Sequence, residues 1–311
     1  MRHLATAAVA LLVGCGRFGF DPRADGGPGA ADAADAPACT FGPWGTPTLV
    51  SEVSSSADDF GPALDADALT LIVQSDRSGS MFDAGHASSV VGPAPDLWIS
   101  TRASTADPFS TPVNLTSINT SFDEKSPALS ADGLTLYLST NRGSAIQLYR
   151  ATRGSLAGAF GPPSLVTELG AIEVIGATIS SDGSELFYSN DALPTNVFRA
   201  TFAAGTFTFA GPIAELNTGQ DQGFPSLSGD GRELYFETTR SDGAHTDVWV
   251  ATRSGPGQPF ADIREVTALS VAGFSDDDPE ISRDGLTIVF ASDRPGGLGG
   301  SDIWMATRAC Q

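Results

Sequence analysis

Hydrophobic and polar positions follow a pattern that returns five times along the chain. In each copy a short apolar stretch leads to a turn, as in PALSADGLTLYLSTNR at 127–142. The other copies lie at 62–77, 177–191, 225–240 and 279–294. The acidic residues before the turns, Asp67, Asp132, Asp182, Asp230 and Asp284, are spaced by 65, 50, 48 and 54 positions. Repeats of this length with several short strands each are typical of propellers and arrays.

Each repeat predicts four β-strands. A Pro-x-Leu/Ile-Ser segment meets an Asp-Gly turn, which suits a tight hairpin because glycine tolerates a positive φ. The second strand is apolar on both faces, as in Leu136-Tyr137-Leu138, so both faces should be covered by neighbours. A third strand ends in Thr-Arg, and a fourth begins with Phe, as at Phe160. Four strands in each of five repeats predict an all-β, five-bladed propeller.

The repeats resemble the PD40, or WD40-like, repeats of the TolB-like propeller family. The shared pattern is Pro-x-x-Ser-x-Asp-Gly, an apolar strand, Ser-Asp-Arg-Pro-Gly-Gly and Asp-x-Trp, carried most fully by 279–304. Two departures stand out: Ala68 replaces the first turn glycine, and Ala177, Asp191 and Phe198 replace Pro, Arg and Trp in the third repeat. TolB itself has six blades and an amino-terminal α/β domain, which we do not expect here, so the resemblance does not imply a role in the Tol system.

The last repeat is short of a fourth strand. Seven positions separate the Arg that ends the third strand from the Phe that begins the fourth, as from Arg153 to Phe160. After Arg308 the chain has only Ala-Cys-Gln, whereas FGPWGTPTLV occupies 41–50. We therefore expect 41–50 to pair with the last blade and close the ring.

Two cysteines, Cys39 and Cys310, bracket the repeats and would meet at this closure. Export makes a disulfide between them possible. The alternative is two free buried thiols.

The beginning of the chain predicts an exported lipoprotein. Arg2 and His3 precede an apolar run at 4–13 that is too short to span a bilayer. The LVGC sequence at 12–15 resembles the bacterial lipobox, which implies that Cys15 carries lipid; an ordinary signal peptide with an incidental cysteine is the alternative. The following Gly16 resembles the outer-membrane sorting pattern and implies a periplasmic or surface-facing protein.

These features divide the chain into three parts. We expect a signal peptide at 1–14, a lipidated flexible tether at 15–38 and the propeller at 39–311. The tether is rich in Gly, Ala, Asp and Pro and has little to bury.

Charge excludes some partners. The chain has 37 acidic residues against 17 Lys and Arg, a net charge of -20, so nucleic acid and anionic lipid surfaces are poor candidates. Arginines recur at matching positions, which predicts ion pairs within blades. Solubility and adaptation to a salty habitat are alternative reasons for the acidity.

Acidic residues cluster before the first strand of most repeats, on the end of the propeller that also carries the loops of variable length. The candidate binding residues of this acidic face are Asp58, Asp59, Asp123, Glu124, Asp221, Asp276, Asp277, Asp278, His86 and His245. The run Asp276–Asp278 is a candidate Ca²⁺ site because hard cations take several oxygen ligands; turn capping is the alternative. The two histidines are either solvated loop residues or a metal or catalytic pair.

Catalytic signatures are absent: the chain has no G-x-S-x-G, H-E-x-x-H or Walker loop. We expect a monomeric, non-enzymatic module without a cofactor, held to the membrane only by its lipid, that binds an envelope protein, peptide or glycan through the variable loops. The alternatives are a glycosidase or lyase that uses carboxylates of the acidic face, and a structural envelope protein.

Overall fold

A computed structural model describes residues 39–81, 95–143, 145–170 and 172–311. These residues form twenty strands, grouped in five four-stranded antiparallel sheets, and one turn of 3-10 helix at Thr167–Leu169. The five-bladed propeller is therefore confirmed. No helix in the described ranges is long and apolar enough to cross a membrane.

The blades follow one another along the chain, and each runs from an inner first strand to an outer fourth strand. Blade 1 contains β2 (Asp59–Leu64), β3 (Thr70–Ser75), β4 (Asp96–Thr101) and β5 (Val113–Asn114). Blade 2 contains β6 (Glu124–Leu129), β7 (Thr135–Thr140), β8 (Gln147–Thr152) and β9 (Ser164–Leu165). Blade 3 contains β10 (Ile175–Ile179), β11 (Glu185–Ser189), β12 (Val197–Ala203) and β13 (Thr206–Pro212).

Blade 4 contains β14 (Gln222–Leu227), β15 (Glu233–Thr238), β16 (Asp247–Thr252) and β17 (Ala261–Glu265). Blade 5 contains β18 (Asp276–Ile281), β19 (Thr287–Ser292) and β20 (Asp302–Thr307), with β1 (Thr48–Leu49) as its outer strand.

The hydrophobic core lies between neighbouring blades. Ile72 and Leu97 of blade 1, for example, pack with Leu136 and Leu138 of blade 2, and all four are fully buried or nearly so. Full burial of such a side chain contributes about 1.5–3 kcal/mol. Because each sheet needs apolar side chains on both faces to cover its two neighbours, the middle of every second strand is apolar at consecutive positions, as the sequence predicts.

The Asp-Gly turns join the first and second strands. In blade 2, Asp132 Oδ1 accepts bonds from the Ser130 hydroxyl (2.6 Å) and the Leu134 N–H (2.9 Å), and Gly133 has φ +65°. Blade 1 holds Ala68 at φ +53° instead, a conformation that is costly for alanine. There Asp65 Oδ1 binds the N–H groups of Leu69 and Thr70, at 2.7 and 2.9 Å, so a side chain fixes the turn without glycine.

The ring closes through the amino-terminal strand, as expected. Strand β1 pairs antiparallel with β20, with Thr48 opposite Met305, and Phe41 forms a bridge with Cys310. Cys39 and Cys310 form a disulfide with their Cα atoms 5.3 Å apart. Both expectations for this region, the borrowed strand and the disulfide, are therefore confirmed.

A recurring arginine shows how completely the closing segment replaces a missing strand. In blades 1, 2, 4 and 5 an arginine follows the Thr at the end of the third strand. Its Nε–H donates to a turn carbonyl, and its guanidinium lies over the phenylalanine before the fourth strand. These contacts are Arg102 over Phe109 (4.3 Å), Arg153 over Phe160 (4.6 Å), Arg253 over Phe260 (4.7 Å) and Arg308 over Phe41 (3.7 Å). Phe41 thus occupies the position in blade 5 that the chain's own repeat would have filled.

The predicted signal peptide, the tether and Cys15 lie outside the described residues, and so does most of the loop at 78–95. The disulfide and the Asp284-Gly285 turn lie together, because Phe41 packs against Gly285. We call this end of the propeller, which carries the Asp-Gly turns, the constant face. The opposite end, which carries the loops between second and third strands, is the variable face.

Candidate functional site

Three of the predicted acidic residues are buried ion-pair partners. Asp59, Glu124 and Asp276 begin the first strands of their blades, and their side chains are 0% exposed. Each pairs with the arginine that lies 18 positions later: Asp59 with Arg77, Glu124 with Arg142 (2.9 Å), and Asp276 with Arg294. The arginines also lie over Trp98, Tyr149 and Trp304 of the third strands, at 5.2–5.4 Å. These ion pairs lie inside single blades and leave the three carboxylates unexposed, so the structure gives no support to their prediction as binding residues.

Blades 3 and 4 depart from this arrangement of acid, arginine and aromatic residue. In blade 4, Gln222 replaces the acid, while Arg240 still lies 4.8 Å from the centre of the Trp249 ring. In blade 3 the acid and arginine are both lost. Buried Val174 occupies the acid position, and Phe198 stacks on Tyr188 with the ring centres 5.4 Å apart.

Three further predicted acids connect loops and neighbouring blades. Asp123 is buried and accepts a bond from the Asn141 amide (3.1 Å). Asp58 Oδ1 accepts from the Ser301 N–H of blade 5 (3.1 Å), and Asp221 Oδ1 from the Thr195 N–H of blade 3 (2.8 Å). Asp123 therefore leaves the candidate binding set, whereas Asp58 is exposed and Asp221 is half-buried.

The two histidines are not shown together. His86 lies outside the described residues. His245 Nδ1 lies 2.8 Å from Asp242 Oδ2 in the loop at 241–246, and this contact raises the pKa of His245. Hydrogen bonds from His245 and from the Ala244 N–H lower the pKa of Asp242. His245 thus forms a local loop contact on the variable face.

Equivalent residues of the five first strands, each followed by proline except in blade 3, surround the propeller axis. All five have a positive φ, between +47° and +52°, and they are Gly61, Ser126, Gly176, Phe224 and Asp278. The pairing of the first and second strands shifts register here in every blade, which marks a β-bulge. A bulge leaves its residue unpaired within the sheet, so its N–H needs another acceptor.

Neighbouring blades supply that acceptor at four of the five bulges. The N–H groups of Ser126, Phe224 and Asp278 donate to Gln74 (2.9 Å), Ser189 (2.9 Å) and Glu237 (2.8 Å) of the preceding blades. The Gly61 N–H donates to Asp278 Oδ2 (2.9 Å). Asp278, which is buried, is therefore a link between blades 5 and 1 and not a ligand-contacting residue, a further correction.

The axis is narrow at two levels. A Cβ on Gly176 would lie 2.7 Å from the Phe224 ring of the neighbouring blade, so this ring fills the space beside Gly176 at the axis, a level that we call the neck. Nearer the constant face, the Arg283 guanidinium reaches the Ser181 hydroxyl of blade 3. The two axial spaces between described residues hold about 30 and 20 Å³. Small-molecule sites usually measure about 300–1,000 Å³.

Charge on the axis comes from blade 5. At the three axial positions of the first strand and turn, blade 5 carries Asp278, Glu280 and Arg283. At the position of Asp278, blades 1 to 4 carry Gly, Ser, Gly and Phe. At the position of Glu280 they carry Ala, Ala, Thr and Ser, and at the position of Arg283 they carry Ala, Ala, Ser and Gly. Sequence reasoning did not single out Glu280 or Glu237, although an aligned view of the repeats marks Glu280 as the one carboxylate among small residues.

Four carboxyls at or near the axis retain protons more readily than ordinary ones; Asp278 is buried, and Asp277, Glu280 and Glu237 are half-buried. Burial raises the pKa of Asp278 to about 6 and that of Glu280 to about 7. Burial, together with the neighbouring carboxylate of Asp278, raises the pKa of Asp277 to about 7. The pKa of Glu237 is raised well above its usual value by burial and by Asp277 and Asp278. The axis is therefore a place where protonation and folding are coupled.

The run Asp276–Asp278 does not converge on one point. Asp276 faces Arg294, Asp277 accepts a bond from the Thr246 hydroxyl, and Asp278 faces the Gly61 N–H. Within the described part of the chain, no group of three or more His, Cys, Asp or Glu side chains could hold a metal ion. Cation binding at this run stays a prediction without geometric support.

Comparisons with known proteins show the fold. No family model matches the chain, and no curated protein matches it. A solved protein of unknown function from Dyadobacter fermentans is 9% identical, with a TM-score of 0.52, over 86% of this chain and 98% of that one. The catalytic domain of a GH62 α-L-arabinofuranosidase from Coprinopsis cinerea is 13% identical, with a TM-score of 0.51, over 88% and 99%.

TolB from Acinetobacter baumannii is also similar, at 17% identity and a TM-score of 0.48, over 83% of this chain and 56% of that chain. At these identities the two structures with TM-scores above 0.5 show the fold alone, and the activity has to be argued from the residues.

The ion-pair unit makes a prediction for two arginines at equivalent positions. Arg294→Met leaves Asp276 buried without its partner and should cost about 3–5 kcal/mol of unfolding free energy. Arg240→Met leaves no carboxylate unpaired, because Gln222 stands there, and should cost only about 1–2 kcal/mol. Urea unfolding at pH 7 measures both, and equal losses would show that the carboxylate is not what the arginine stabilises.

The axial carboxyls predict a dependence of stability on pH. Since their folded pKa values are raised, the folded state keeps protons that the unfolded state has lost, and stability falls as pH rises from about 4 through about 7. Glu280→Gln keeps one carbonyl oxygen that can accept from the Leu64 N–H, and its amide can bond to the Ser226 hydroxyl, but it cannot ionise. At pH 8 its unfolding free energy should exceed that of the parent by on the order of 2 kcal/mol, and at pH 5 the gain should be much smaller. Exposed Glu52→Gln is the control; a Glu280→Gln gain that is the same at both pH values would contradict the coupling.

Proposed function

We propose that this protein is a non-enzymatic binding module of the bacterial cell envelope, which recognises a partner protein or peptide through its variable face. The observation that carries the proposal is the position of its exposed apolar side chains. Among the described residues, the large hydrophobic side chains that remain exposed are Met81, Val113, Phe122, Leu156, Leu193, Phe209 and Leu298. Four of these, Met81, Phe122, Leu193 and Leu298, lie on the variable face.

These four residues come from different blades. Met81, Leu193 and Leu298 lie in the loops between the second and third strands of blades 1, 3 and 5, and Phe122 precedes β6. Leu193 is 87% exposed, so its burial against a partner would remove a large apolar side chain from water. We take these four side chains as the apolar anchors that a partner would cover, with the polar loops between them as the rim.

The partner's chemistry is suggested by the same residues. Leucine and methionine side chains pack against apolar side chains of a protein or peptide, whereas sugar rings are usually held by flat aromatic surfaces. The net charge of -20 and exposed Asp58 beside the apolar positions favour a partner with basic groups around its contact. A glycan is therefore the weaker of the proposed ligands.

The enzyme alternative has less support. A glycosidase needs two carboxylates on either side of a space that admits the scissile bond. The axial carboxyls instead lie at a neck with about 30 Å³ of space, and Asp59, Glu124 and Asp276 are occupied by arginines.

The cellular location is also part of the proposal. Disulfides are typical of exported proteins, and Cys39 and Cys310 form a disulfide here. We propose that Cys15 carries the lipid and that residues 15–38 connect it to Cys39 at the constant face, with attachment to the outer membrane. The variable face would then tend to point away from the lipid.

Two leucines of equal exposure allow a direct test. Leu298 on the variable face and Leu156 on the constant face are each 54% exposed. Captured from solubilised envelope with the tagged protein, a specific partner should be reduced at least about tenfold by Leu298→Ser, and more by adding Leu193→Ser, because each loses apolar contact area.

Leu156→Ser is the matched control and should capture the partner as the parent does. If Leu156→Ser reduced capture as strongly as Leu298→Ser, the variable face would not be the binding surface. Capture of nothing but further copies of the same chain would favour the structural alternative.

A further inference from the structure

The outer edge of blade 3 differs from the outer edges of the other blades. Its fourth strand, β13, spans seven residues, whereas β1, β5 and β9 span two each and β17 spans five. In the described ranges, no strand pairs with the outer side of β13. A long exposed strand edge offers unpaired N–H and C=O groups to another chain.

The other outer strands carry features that discourage such pairing. A proline stands directly before β1, β5 and β9, at Pro47, Pro112 and Pro163. Strand β17 exposes the charged side chains of Asp262 and Arg264. Strand β13, with the sequence TFTFAGP, has no charge, and its proline comes only at its end. The edge of β13 is therefore the one outer edge of the described blades that lacks these protections.

The hairpin geometry determines which backbone groups are free. Strands β12 and β13 are joined by the two-residue loop Ala204-Gly205, both with positive φ, and Ala203 lies opposite Thr206. In such a hairpin the backbone N–H and C=O groups of the two residues that flank the loop, Ala203 and Thr206, bond to each other. Along the ladder, hydrogen-bonded pairs then alternate with pairs whose N–H and C=O groups point outward. The N–H and C=O groups of Phe207 and Phe209 consequently point away from β12.

The absence of charge along β13 favours pairing with a second copy of the same strand. No ionisable side chain occurs between Ala200 and Ala214, although the chain carries a net charge of -20. Two copies can therefore meet along β13 without bringing carboxylates together. We propose that β13 pairs antiparallel with β13 of a second copy, about a two-fold axis at Thr208.

This register is self-complementary. With Thr208 opposite its counterpart, Phe207 of each copy lies opposite Phe209 of the other, which allows four backbone hydrogen bonds. The Phe207 and Phe209 side chains lie on one face of the sheet, where Phe207 contacts Phe202 (4.9 Å between centres) and Phe209 contacts Tyr188 (6.5 Å). Pairing of two copies would extend this row of aromatic side chains across the two-fold axis of the dimer. It would also cover Phe209, which is 42% exposed.

The contact lies on the rim of the propeller, so the variable and constant faces stay open. It goes beyond the proposed function, since a dimer formed in this way presents two binding faces. It also replaces the monomer that we expected from the sequence.

A charge-swap experiment tests the pairing. Thr208→Lys places two like charges directly opposite each other, and Thr208→Glu does the same with the other sign. Sedimentation velocity of the purified protein should show a dimer for the parent and a dimer dissociation constant raised at least about tenfold for each variant. An equimolar mixture of the two variants should recover the dimer. Ala261→Lys, on the exposed outer strand of blade 4, is the matched control and should sediment as the parent.

Several results would overturn the proposal. A parent protein that is monomeric at every accessible concentration would do so. So would a dimer that Ala261→Lys weakens as much as Thr208→Lys, or a mixture of the two Thr208 variants that stays monomeric while each variant unfolds at the parent's urea midpoint. The Leu298→Ser experiment measures capture of a partner, whereas the Thr208 variants measure self-association. Either proposal can therefore fail while the other holds.

Discussion

Closure of the ring is the constraint on which the rest of this molecule depends. Each blade covers one face of the next, so an open ring would leave two apolar sheet faces in water. The amino-terminal segment completes blade 5, because β1 pairs with β20 as the outer strand of that sheet. The contact of Arg308 with Phe41 reproduces the arginine–phenylalanine contact of other blades, and the Cys39–Cys310 disulfide joins the two segments covalently.

The fold could be predicted because its determinants repeat. Turn residues, apolar second strands and the missing fourth strand are visible in five aligned copies, and they account for the blades, their number and the closure. The directions of the carboxylates could not be predicted in the same way. Asp276, Asp277 and Asp278 are adjacent, yet a β-bulge at Asp278 breaks the alternation of a regular strand. One side chain therefore turns to Arg294, one to Thr246 and one to the axis.

The result divides the acidic residues by role. Those that recur at the starts of first strands neutralise arginines inside the blades. Asp278 instead accepts a hydrogen bond from the Gly61 N–H and so links blades 5 and 1 at the axis. The acidic composition suggested a charged binding face. The described surface instead exposes a small number of large apolar side chains, and these are the candidates for contact with a partner. Function is accordingly sought in residues that do not recur: Leu193 and Leu298 on the variable face, and the long outer strand of blade 3. That blade also lacks the arginine and tryptophan of the repeat, and its aromatic residues continue to the rim instead.

Closure of the ring by its own amino-terminal segment can be measured as the difference in unfolding free energy between oxidised and reduced protein. The disulfide joins residues 271 positions apart. In the chain-entropy model, reduction should lower the unfolding free energy by about 5–6 kcal/mol, and Cys310→Ser should lower it equally and remove any further effect of reductant. If reductant leaves the parent unchanged, or if Cys39 and Cys310 titrate as free thiols in denaturant without reductant, the ring is not closed in this way.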